Sequence, residues 1–250
     1  MLLMSEKNVT NSKSQAWDRV SITPSGFFGS SEKHIIEIEN FMTAEELTTL
    51  NDFIRNNKDW DYTESHYNEE GICIYDASYW EDRVAGGSTL LKYSPHIFEM
   101  IDKMMDRLTE KVNEHFRVDA WPTSPTMVRW VPGNLQHPHA DKELHRYEKW
   151  GGHPDREGQP NDFPFYDIAG LFYINDDYEG GELYFPEQGI QFKPKPGAAY
   201  FFPGDRNYIH GITEITSGER YTCPFFFTIL KHFNKDGTEK NVGPDCKFED

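Results

Sequence analysis

The chain has 250 residues, 37% of them apolar and 15% aromatic, enough for one well-cored domain and unlike a disordered polymer. Its net charge of −17 at pH 7 repels a phosphate backbone, which argues against nucleic acid as a partner. No apolar run is long enough to cross a membrane, and Cys73, Cys223 and Cys246 are odd in number and far apart, as reduced thiols are, so a cytoplasmic protein with no membrane partner is expected.

Residues 1–32 are polar and without period and read as a loose arm or an extended edge segment. His34 to Glu39 alternates as a strand does. Thr43 and Glu46 then form a capping box for a helix whose apolar stripe is Leu47, Leu50 and Ile54. From Asp59 to Gly87 the chain is acidic and aromatic, with no clean period. Ser94-Pro95 starts a second helix, with Ile97, Ile101, Met104, Leu108 and Val112 on one face.

Beyond Val118 the texture changes to short apolar runs bounded by Gly, Pro, Asn and Asp. Strands are expected near 126–131, 137–140, 167–174, 182–185, 189–192, 198–202, 208–213 and 221–230. Strands this short and this evenly spaced predict a mostly β fold with flanking helices, its core a double-sheet jelly roll. The expected organisation is a polar arm over 1–32, a single domain over 33–233 and a polar tail over 234–250. Within the domain, 33–120 supplies helical support and 121–233 the jelly-roll core.

His139 and Asp141 are two apart, so an extended backbone presents them on one face, where His210 is the obvious third group. Two His and one carboxylate make the facial donor set of non-haem Fe(II) oxygenases. The same spacing also suits a surface pair, and His137 with His139 would suit a His-x-His site. Arg220 opens the next strand, where its guanidinium can fork onto a carboxylate or join a surface salt bridge.

The run Arg129-Trp-Val-Pro-Gly-Asn-Leu-Gln-His-Pro-His-Ala-Asp141 resembles the Arg-Tyr-x-x-Gly-x-x-Tyr-x-x-His-x-Asp segment of prolyl 4-hydroxylase-like, 2-oxoglutarate and Fe(II)-dependent dioxygenases. The resemblance continues through Leu171 to Asn175, Glu179 to Pro186, Lys195 to Phe202 and His210 to Tyr221. It implies a cupin-like double-stranded β-helix in which His139, Asp141 and His210 hold Fe(2+). Arg220 would pair with the distal carboxylate of 2-oxoglutarate, with Tyr173 donating its hydroxyl to the same group. O2 is then the second cosubstrate, ascorbate a reductant, and hydroxylation of a peptidyl proline or a related amino acid the reaction.

Two positions depart from the pattern. Trp130 stands where the family has a Tyr that helps to hold 2-oxoglutarate, and Gln136 replaces the second Tyr. The connection after Asp141, with His145, Arg146, Trp150, His153 and Arg156, reads either as a substrate wall or as exposed decoration. Two other readings stand beside the hydroxylase: a jelly-roll module that binds 2-oxoglutarate or metal without turnover, and a dioxygenase acting on a non-prolyl small molecule. Oligomeric state is not legible.

Overall fold

The computed structural model describes residues 20–60, 82–230, 232–233 and 239–240. The expected aromatic stretch therefore falls outside the described residues from 61 to 81, and so do most of the polar tail and residues 1–19. In chain order come β1 (Val20–Ser21), β2 (Ile36–Ile38), α1 (Ala44–Asn56), β3 (Val84–Gly86), α2 (Gly87–Tyr93), α3 (Pro95–Phe116), β4 (Ala120–Pro122), β5 (Thr126–Trp130) and β6 (Gln136–His139). They are followed by β7 (Ile168–Tyr173), β8 (Tyr178–Gly180), β9 (Leu183–Phe185), β10 (Ile190–Phe192), β11 (Ala199–Pro203), β12 (His210–Ile212), β13 (Ile215–Gly218) and β14 (Arg220–Leu230). A last pair, β15 (His232–Phe233) and β16 (Glu239–Lys240), lies beyond them.

Each window expected to hold a strand after Val118 does so, and both expected helices form where their caps and stripes put them. In α1 the Thr43 hydroxyl accepts the Glu46 N–H and the Glu46 carboxylate accepts the Thr43 N–H, closing the capping box. Glu46 also accepts both terminal nitrogens of Arg107 on α3, at 2.7 and 2.8 Å, so one carboxylate caps α1 and ties it to α3. Ser94 occupies the N-cap position of α3 without a side-chain bond, and Pro95 supplies the preset first turn. The whole predicted stripe of α3 is buried.

Among the described residues all strand pairings are antiparallel. The larger sheet runs β2-β11-β7-β14-β5-β3, with β1 and β4 also paired to β14, and the smaller runs β10-β9-β12-β6. The period of two along β14 divides its side chains between two environments. Tyr221, Cys223, Phe225, Phe227 and Ile229 pack with the α1 and α3 stripes in the main core, whereas Arg220, Thr222 and Phe226 face a cavity between the sheets. A second cluster, with Val128 and Ala169 from the larger sheet against Leu183, Phe185 and Ile212 from the smaller, closes the space between them. This is the expected jelly roll.

Several elements have no counterpart in the sequence reading. Part of the polar arm is ordered: Val20 and Ser21 pair with Leu230 and Ile229, and Phe28 packs on Phe116 in the main core. Strand β3, at the end of the stretch without period, has all three residues buried and pairs with β5. A strand buried on both faces shows no alternation, which is why its pattern is silent.

Candidate metal centre

Antiparallel register brings the two histidines together. His139 ends β6, His210 opens β12, and the two are direct cross-strand partners with ring centroids 4.5 Å apart. Asp141 lies two residues past the end of β6, where its N–H donates to the Gly204 carbonyl at 2.8 Å. Its Oδ1 is 3.5 Å from His139 Nε2 and 3.7 Å from His210 Nε2, and the three donor atoms all lie within 4.8 Å of one another. His137 is exposed and stands outside this group, so the His-x-His alternative is not formed.

Hydrogen bonds fix which ring nitrogen is available. Nδ1 of His139 faces the His137 carbonyl at 3.0 Å and Nδ1 of His210 faces the Tyr208 carbonyl at 3.0 Å. A carbonyl only accepts, so both Nδ1 atoms carry hydrogen and the Nε2 atoms are the ring nitrogens nearest Asp141. Burial pushes the pKa of His210 down to about 4, against the pull of Asp141. Burial also disfavours the charged form of His139, but the hydrogen bond and charge of Asp141 outweigh it and leave its pKa raised. Asp141 Oδ2 is buried without a hydrogen-bond partner among the described residues. Two imidazole nitrogens, a carboxylate with an unused oxygen and backbone-held ring orientations fit a divalent metal ion.

Beside the triad lies a cavity of about 630 Å³. Arg220 reaches into it from the start of β14 with only 1% of its surface exposed. Its Nη2 donates to the Tyr173 hydroxyl at 3.0 Å, its Nε has no partner, and no carboxylate pairs with it among the described residues. The guanidinium lies 5.3 Å from the Trp130 ring and 5.0 Å from the Tyr173 ring. A desolvated cation resting on aromatic faces and the neutral phenols of Tyr173 and Tyr178 calls for an anion. Burial raises the Tyr173 pKa to about 12 although Arg220 pulls it down, so the phenol keeps its proton and can donate it to that anion.

The departing positions are both in the cavity wall. Trp130 is the cross-strand partner of Arg220, and its indole N–H donates to the Thr222 hydroxyl at 3.3 Å. It therefore supports Arg220 with a ring face, its N–H being spent on the scaffold. Gln136 places its amide nitrogen 3.2 Å from His139 Nε2, on the lone pair that a metal would use.

The connection after Asp141 contributes in a way the sequence did not show. His145, Arg146, Trp150, His153 and Arg156 do not line the cavity, and Arg146 pairs instead with Glu157 and Glu187. The end of the connection supplies the wall, with Asn161, Phe163, Phe165 and Tyr166. Asn161 also donates to the Asp141 carbonyl at 2.9 Å. Lys142 turns away into a buried network, donating to Asp167 at 2.5 Å and to the Thr23 hydroxyl at 2.6 Å. A Lys next to a ligand Asp and an Asp at a strand entrance carry no pattern that would have paired them. Gly204 is equally specific: a Cβ there would lie 2.3 Å from the Tyr166 carbonyl and 3.1 Å from the Asp141 Cβ.

Residues 142–228 match the family model of the 2OG-Fe(II) oxygenase superfamily, a span that contains His210 and Arg220 and begins one residue after Asp141. The chain carries this match over about a third of its length. Over 76 residues, 28% of its length, it is 34% identical to prolyl 3-hydroxylase 2 from Rattus norvegicus and from Homo sapiens. That stretch spans only 11% of either relative. Among solved structures, the viral collagen prolyl hydroxylase of Paramecium Bursaria Chlorella virus-1, in its 2OG complex, superposes with a TM-score of 0.53 at 17% identity, covering 81% of this chain and 99% of that one. A Trichoplax adhaerens prolyl hydroxylase, in complex with a hypoxia inducible factor peptide fragment, gives 0.50 at 14% identity over 90% and 94%. At such identities the likeness is one of fold, the double-stranded β-helix of 2OG oxygenases.

Proposed function

We propose that the chain is an Fe(II)- and 2-oxoglutarate-dependent dioxygenase that hydroxylates a prolyl residue in a peptide or protein. The observation that carries this reading is Arg220, a buried cation without a counter-ion among the described residues, in the same cavity as two imidazoles and a carboxylate set for metal. Named relatives that are prolyl hydroxylases support the choice of substrate. When bound through His139, Asp141 and His210, Fe(II) with 2-oxoglutarate and O2 supplies the oxidation of a substrate C–H bond to C–OH, with release of succinate and CO2.

The chain's own residues perform the positioning. The His137 and Tyr208 carbonyls hold the two imidazoles in the tautomer that ligates, which removes the need to reorganise on metal binding. Arg220 and Tyr173 would hold the distal carboxylate of 2-oxoglutarate with a charge-assisted hydrogen bond and a phenol donor. Trp130, Ala169 and Leu183 line the cavity with apolar surface and exclude water. The reading includes ascorbate as reductant, a catalytic unit over residues 33–233 and a cytoplasmic setting. Among the described residues no helix is long and apolar enough to cross a membrane.

The test is succinate release by purified protein with Fe(II), ascorbate and 2-oxoglutarate across prolyl peptides and free amino acids, read together with the mass gain of one oxygen. Wild type turns over a prolyl peptide, His139→Ala does not, and fragmentation of the product distinguishes 3- from 4-hydroxylation. Absence of both succinate release and metal binding in an anaerobic titration would remove the enzyme class.

A further inference from the structure

The wall of the cavity farthest along β14 from Arg220 is a continuous aromatic stack. Phe163 and Tyr166 lie with ring centroids 4.9 Å apart and planes at 10°, and Tyr166 lies on Phe226 at 3.9 Å and 3°. Phe165 meets the edge of Tyr166. All four rings are partly exposed and line the cavity. We propose that Phe163, Tyr166 and Phe226 form the platform on which the substrate is laid, and that its occupant is an apolar ring in an uncharged stretch of peptide. This deepens the hydroxylase reading and rests on it.

Length is the first argument. Arg220 and Phe226 share one face of β14 six residues apart, which is about 20 Å along a strand. A five-carbon diacid anchored on Arg220 is on the order of 7 Å long. Most of the cavity is thus left for a second, elongated occupant.

Charge is the second. Apart from the Tyr166 phenol, which is neutral at physiological pH, the only ionisable side chains lining the cavity among the described residues are His139, Asp141, His210 and Arg220, all committed to metal and cosubstrate. A free amino acid would bring an ammonium and a carboxylate with no partner, and leaving either charge buried and unpaired is strongly unfavourable. A peptide brings neutral amides and an apolar ring, for which aromatic faces are the matching surface. A nucleobase also stacks on such faces, but the net charge of −17 opposes its phosphates.

Placement is the third. The Tyr166 carbonyl and Asp141 both pack against Gly204, so the platform and the metal centre share one rigid turn.

The experiment titrates the Mn(II) and 2-oxoglutarate-loaded protein, without O2, with a short uncharged peptide holding one proline between Gly and Ala. Tyr166→Ala and Phe226→Ala are expected to weaken peptide binding about threefold to tenfold each, while Tyr166→Phe keeps the wild-type affinity. Phe226→Leu, which retains apolar volume and loses the ring, accompanies them in case the alanine variants do not fold. Replacing either neighbour of the proline by Asp or Lys is expected to weaken binding more than tenfold. Unchanged peptide affinity in the ring variants, free proline binding as tightly as the peptide, or single-stranded DNA binding more tightly than the peptide would each overturn the proposal. The binding readout needs no turnover, so it fails separately from the hydroxylase reading, which fails on succinate release.

Discussion

Arg220 makes a prediction that separates stability from ligand binding. Its guanidinium is buried with only neutral phenols and ring faces for company, and burying a cation in that state costs the ligand-free protein free energy. Arg220→Leu is therefore expected to leave the urea midpoint of the ligand-free protein equal or higher. Its 2-oxoglutarate affinity should fall by about 2 kcal/mol or more, roughly 30-fold, in anaerobic calorimetry. A lower midpoint with unchanged affinity would mean that Arg220 is a structural pin.

Gln136 makes the opposite kind of prediction. Its amide occupies the His139 lone pair, so metal must displace a hydrogen bond worth ~1 kcal/mol. Gln136→Leu should raise Mn(II) affinity about fivefold in a competition titration with a fluorescent chelator.

At the scale of elements, one carboxylate holds the helical support to itself. Glu46 closes the α1 capping box and forks onto Arg107 of α3. Burial disfavours its charge, yet the Arg107 and Thr43 contacts prevail and hold its pKa below the ordinary value. Glu46→Ala is expected to cost about 1–2 kcal/mol in urea unfolding, and Thr43→Ala about 1 kcal/mol. Metal affinity should stay put in both, because the site hangs on the β6, β12 and β14 register. Strand β14 is the element that joins the two halves, with one face in the helix-packed core and the other holding Arg220 and Phe226 at opposite ends of the cavity.

At the scale of the whole molecule, stability should depend on pH through Asp205. Burial raises its pKa to about 6 from 3.8, and its Oδ2 has no partner while Oδ1 accepts the Asn207 N–H. The folded state holds this proton more tightly than the unfolded one. Its contribution is complete below pH 3.8, declines as the pH rises, and is gone above about 6. The shift corresponds to on the order of 3 kcal/mol. Asp205→Asn keeps the acceptor for Asn207 and cannot ionise, so its stability relative to wild type should rise between pH 4 and 6 and level off above, as measured by urea midpoints across that range. A constant difference would mean that Asp205 is ionised throughout.

Sequence alone determined whatever is local or periodic. Capping residues and apolar stripes placed α1 and α3, short runs between turn residues placed the strands after Val118, and the His139-x-Asp141 spacing with the distal His210 and Arg220 marked the candidate site. Tertiary structure decided what depends on register and burial. It made His139 and His210 partners across 71 residues, since 210 − 139 = 71, and it left Arg220 without a counter-ion among the described residues. It turned the indole N–H of Trp130 to Thr222, and Gln136 onto His139. It also buried β3 on both faces, so no alternation announced it, and drew the aromatic wall from the end of a polar connection. The reason is physical: capping and periodicity act within a turn or a strand, whereas hydrogen-bond partners, desolvation and cavity walls are set by neighbours that only strand pairing brings together.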